Sequence, residues 1–190
     1  DRVVPVLAQR RILTLADPDY PQLLLESADP PSLLYVKGRV ELLNRPALAI
    51  VGSRNATPQG LKDAEALAAD LAAQGLTIVS GLALGIDGAA HRGGLKGEGG
   101  SVAVIGTGAD RIYPSRHKEL ALQLATEGAI VSEFPLGTPA VAHNFPRRNR
   151  IIAGMAKGCL VVEAALESGS LITARLAAEL GREVFAIPGS

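Results

Sequence analysis

The chain is poor in sulfur and in aromatic rings, and it carries no excess of either charge. Its one cysteine, Cys159, has no second thiol in the sequence, which excludes the internal disulfide framework of small secreted domains. Lying in the apolar run Cys159-Leu160-Val161-Val162, it reads as a buried structural thiol. Three scattered histidines and that cysteine offer no metal-ligand spacing, so no metal site is expected. Nineteen basic and nineteen acidic residues cancel, so any site for a polyanion must be regional. No stretch approaches the ~18 apolar residues of a membrane span, and the start Asp1-Arg2-Val3-Val4 does not read as a signal peptide. A membrane partner is not expected, and the cytoplasm is the default compartment. There is no Gly-x-Ser-x-Gly elbow, no Cys-His constellation, and neither G-x-G-x-x-G spacing nor a Walker lysine after the first βα turn. No catalytic residue and no cofactor are assigned.

What is present is an ordinary globular composition, 47% hydrophobic and 20% charged over 190 residues, enough to bury about 70% of the unfolded surface. Glycine and proline fall at the ends of apolar runs and punctuate them. Residues 1–46 form a flanking segment broken by prolines, with Leu33-Leu34-Tyr35-Val36 as its one strand-like run. From Ala47 to the end, residues 47–190, short apolar runs alternate with helical patterns. Strands are expected over 47–51, 76–80, 102–105, 129–132, 159–162 and 184–187, each apolar enough to be buried on both faces. Leu61, Ala64, Leu67, Ala68, Leu71 and Ala72 mark a helix entered through Thr57-Pro58 and stopped by Gly75. Residues 117–126 and 170–180 repeat that scheme, the latter with Ser170 as its cap. The expected fold class is α/β, Rossmann-like, with a mostly parallel sheet covered by helices on both faces.

In such a sheet ligands collect beyond the carboxyl ends of the strands. After the first come Gly52, Ser53 and Arg54, a glycine turn with an arginine at a helix start. The turn suits a phosphate, and it equally suits a bare tight turn with a solvated Arg54. After the second, Asp87 and His91 stand four apart on a helix face, as an acid-base pair or as an N-cap beside a packed ring. Arg116, His117 and Lys118 at a later helix start are either a solvated face or phosphate contacts. The residues between Glu133 and Glu163 contain no acid, yet they hold Arg147, Arg148, Arg150 and Lys157, with His143 alongside. There Phe145 precedes Arg147, Arg148, Asn149 and Arg150, a ring beside guanidinium groups that can stack a base and hold phosphates. The competing reading makes Phe145 a core residue and pairs an arginine with Glu133 or Glu163. Ser168, Gly169 and Ser170 open the last helix and offer hydroxyls and N–H groups to an anion.

Together these motifs resemble the DNA-processing protein A family, also called Smf, bacterial proteins of natural transformation. The resemblance spans about residues 20–190. It rests on Gly52-Ser53-Arg54, the run from Ser80 to Asp87 with Ala90-His91, Gly106-Thr107-Gly108 with Tyr113-Pro114, Ser132-Glu133-Phe134-Pro135, Phe145 to Arg150, Ser168-Gly169-Ser170 and Pro188-Gly189. It implies an extended Rossmann-like domain that binds single-stranded DNA in a basic pocket, forms homodimers and loads the RecA recombinase onto incoming strands, with no established catalysis or cofactor. Carried over by position, the binding residues are Arg54, Phe145, Arg148, Arg150 and the Ser168 to Ser170 turn. Ala142 and His143 stand where some relatives carry a lysine. The helical and winged-helix modules that relatives often add are not visible, and the sequence reads as part of a longer family member. The alternative is a nucleotide-binding enzyme like the phosphoribohydrolases, whose glycine turn precedes Thr-x-x-Glu. Here Thr173-Ala174-Arg175-Leu176 lacks the acid.

Overall fold

In the computed structural model, which describes residues 10–165 and 168–188, the alternation of apolar runs and helical patterns becomes one eight-stranded sheet. Its strands are β1 (Arg10–Thr14), β2 (Leu33–Gly38), β3 (Ala47–Gly52), β4 (Thr77–Ser80), β5 (Ser101–Val104), β6 (Ala129–Ser132), β7 (Gly158–Val162) and β8 (Glu183–Ala186). The helices are α1 (Gln22–Leu25), α2 (Pro58–Ala73), α3 (Ile86–Gly94), α4 (Lys118–Glu127), α5 (Asn144–Met155) and α6 (Gly169–Glu179). Gly189 and the opening Asp1 to Val4, quoted above, lie outside the described residues.

The strand order is β1-β2-β6-β5-β4-β3-β7-β8. Strands β6 to β3 and on to β8 run parallel, while β1 and β2 add an antiparallel edge, with Tyr35 opposite Ser132 and Val36 opposite Val131. The segment before residue 47 thus extends the same sheet, and its Leu13, Tyr20, Leu24 and Leu34 are fully buried in the main core. Leu48, Ile50 and Ile78 point to one face, under the alanines of α2 and under Ile86, Ala89 and Ala90 of α3. Ala49, Val51, Val79, Val102 and Val104 point to the other, under Ile151, Ile152 and Met155 of α5. Helices on both faces of a mostly parallel sheet define an extended Rossmann-like α/β fold.

Thr57 caps α2 as expected, accepting from the Gly60 N–H at 3.1 Å, with Pro58 in the first turn. Three expectations change. Ser168, not Ser170, caps α6, its side chain accepting from the Ser170 N–H. Gly85, not Asp87, occupies the cap position of α3. Strand β8 is exposed along its whole length because it is the outer parallel strand, paired only with β7, so its apolar residues are not doubly buried.

Candidate functional site

Strand β3 is the switch point of the sheet. From it the chain runs outward to β4, β5 and β6 on one side, then returns to β7 on the other. The loops leaving β3 and β7 therefore diverge and leave a crevice. A cavity of about 430 Å³ lies there. Two glycines make its floor possible. A Cβ on Gly52 would strike the Val162 carbonyl and the Ile86 side chain, and Gly85 has φ +77° while lying against the Ser53 carbonyl.

Gly52, Ser53 and Arg54 form one wall, Ser168, Gly169 and Ser170 a second, and Phe145, Arg148 and Asn149 a third. The third wall is helical. Phe145, Arg148, Asn149 and Ile152 follow the i, i+3, i+4, i+7 spacing of one face of α5. His143, Arg147 and Arg150 fall on another face and line no part of this cavity. Arg150 binds Glu133 at 2.5 Å and lies 3.6 Å from Asp29, while Arg147 meets Glu133 at 3.4 Å and stands over the Phe134 ring. The competing reading of internal pairing thus holds for these two arginines, because helix phase turns them toward Glu133. Lys118 is exposed at the start of α4, away from the cavity as well.

Arg148 is a buried cation with backbone partners. Its Nη1 donates to the carbonyls of Gly81 and Val104, and its Nε donates to Asn149 Oδ1 at 2.9 Å. Burial lowers its pKa to about 10 despite the nearby Asp87 carboxylate, and Arg54 pushes the same way as burial. Asp87 is held in turn, accepting from the N–H groups of Gly81 at 3.1 Å and Ala83 at 3.3 Å. Its own pKa is raised by burial, opposed first by Arg148. His91 is a packed ring. Its Nε2 accepts from the Leu82 N–H, and its Nδ1 meets Ser101 Oγ at 2.7 Å, which donates onward to the Ile78 carbonyl. His117 closes the loop from outside through the Leu82 carbonyl, which accepts from its Nδ1 at 3.0 Å. Four side chains thus fix the turn between β4 and α3.

The phosphate site expected at the start of α2 is occupied from within. The Glu163 carboxylate accepts from the Thr57 N–H at 2.9 Å and from its hydroxyl at 2.7 Å, while the Ser53 N–H donates to the Glu163 carbonyl. An internal anion already meets that helix dipole. Among the described residues Arg54 has no side-chain hydrogen bond or ion pair, so it is the cation at the rim free to meet a ligand. Sequence reasoning did not assign Asn55, Asp87, Pro146 and Thr173 to this cavity, nor Tyr113 to the space beside it. Tyr113 could have been picked out as one of only six aromatics. Among the described residues, no group of metal-binding side chains is found and no helix is long and apolar enough to cross a membrane.

A Rossmann-like domain with its cavity at the switch point, lined by one free and one buried arginine and a half-buried phenylalanine, is a class with many ligands. Comparison narrows it. The family model of DNA recombination-mediator protein A matches residues 11–190, and the chain belongs to that family. It is 54% identical over 171 residues to protein Smf of Escherichia coli, covering 90% of this chain and 46% of that protein. The X-ray structure of DNA processing protein A from Streptococcus pneumoniae matches with a TM-score of 0.90 at 46% identity, over 96% of this chain and 64% of the other. DNA processing protein A from Helicobacter pylori, which binds single-stranded DNA, matches with a TM-score of 0.87 at 31% identity, over 95% and 82%. The chain spans about half the length of the Escherichia coli relative.

Proposed function

We propose that the chain binds single-stranded DNA in the switch-point cavity, without turning it over and without regard to sequence. In natural transformation and recombination it protects incoming strands and helps load RecA onto them, acting in the cytoplasm as a homodimer. The observation that carries this reading is the convergence of Arg54 and Phe145 on one cavity from distant parts of the chain. Arg54 meets a phosphate, the Ser168 to Ser170 turn supports it, and Phe145 stacks a base. The binding mode of the Helicobacter pylori relative supports the choice of ligand.

Anisotropy of a labelled thymidine oligonucleotide, titrated with salt, tests it. Phe145→Ala should weaken binding roughly 5- to 100-fold, the value of one stacked base. Arg54→Ala should weaken it too and lower the salt slope by about 0.7, the contribution of one phosphate on a single strand. Both variants binding like the wild type would overturn the assignment. Release of free adenine from AMP would instead favour the nucleotide hydrolase.

A further inference from the structure

The chain has three tyrosines and no tryptophan. Tyr20 is fully buried, its hydroxyl donating to the Pro31 carbonyl at 2.6 Å. Tyr113 is the opposite case: half its surface is open, and its hydroxyl has no hydrogen bond among the described residues. Its ring stands beside Phe145, with centroids 5.4 Å apart and planes tilted by 34°. Between Tyr113, Pro114 and Leu84 lies a second cavity of about 100 Å³. It adjoins the main one, and Arg54, Ala83, Phe145 and Arg148 line both. Too small for a nucleotide, it has room for the edge of one planar ring.

Arg54 and Phe145 thus border both cavities, while Tyr113 lines the small one alone. A phosphate at Arg54 would have one flanking base in the main cavity and the next in the small one. We infer that the site takes two consecutive nucleotides, with Tyr113 stacking the base next to the one held by Phe145. The inference rests on the reading of the main cavity as a site for single-stranded DNA.

Two measurements test it. Against a thymidine oligonucleotide, Tyr113→Ala should bind roughly 5- to 100-fold more weakly than the wild type, and Tyr113→Phe should recover that loss because the ring face is restored. Against an abasic oligonucleotide of the same length, which keeps the phosphates and lacks the bases, the alanine variant should match the wild type. Tyrosine emission of the wild type should fall as the thymidine strand binds, and the fall should vanish in Tyr113→Phe. Wild-type affinity in Tyr113→Ala, an equal loss on the abasic strand, or a fall in emission that survives in Tyr113→Phe would overturn the role of Tyr113 alone. A wild type that binds no single strand would remove the underlying reading instead.

Discussion

Arginine side chains that look alike in the sequence divide into three kinds in the fold. Arg54 is free, Arg148 is buried against two carbonyls, and Arg147 and Arg150 turn toward Glu133. The first two face the cavity and the others do not. Arg147→Ala should therefore leave the salt slope of single-strand binding near that of the wild type, where Arg54→Ala lowers it. A drop on removing Arg147 as large as that on removing Arg54 would show that the strand leaves the cavity along that face. The basic stretch was legible as a local excess of charge, but its orientation was not. Orientation depends on the phase of a helix whose buried face carries Asn144, Arg148 and Asn149, polar residues that hide the apolar repeat.

Short connections between elements carry most of the polar chemistry. The turn between β4 and α3 is held by Asp87, His91, His117 and Arg148, so the wall that Ala83 gives the cavity is rigid. His91 must be neutral to do this. Burial first, then His117, Arg148 and Arg92, bring its pKa down to about 3 from 6.5. A histidine depressed in the fold contributes stability above its unfolded pKa and loses it as pH falls from about 6.5 toward 3, by at most about 1.4 kcal/mol per pH unit. Urea unfolding of the wild type and His91→Gln should thus show a gap in stability that narrows from pH 7 to pH 5. A gap that stays constant would mean that His91 accepts its proton inside the fold. From spacing alone Asp87 and His91 could be placed on one helix face, but not told apart as a reactive pair or as braces. Only their backbone partners, distant in sequence, decide that.

The described residues form one sheet whose ligand-bearing end was legible in the sequence, because parallel βα units put their loops at one end, whereas the switch point at β3 depends on a strand order that only the fold gives. The antiparallel edge formed by β1 and β2 was less legible, since prolines interrupt that segment and a single apolar run stood out. Around the crevice, α2 and α3 begin with carboxylates of the same chain, Glu163 and Asp87, set against their N-terminal backbone or first turn. A lone phosphate in the cavity would therefore find mainly Arg54 and the starts of α5 and α6. Thymidine monophosphate should therefore fail to displace a labelled oligonucleotide at a nucleotide concentration at which the unlabelled oligonucleotide succeeds. Equal competition would mean that one unit supplies the whole affinity. In the proposed binding mode, a rim that carries its own counter-ions would grip a polymer through the sum of modest holds, each released without the others.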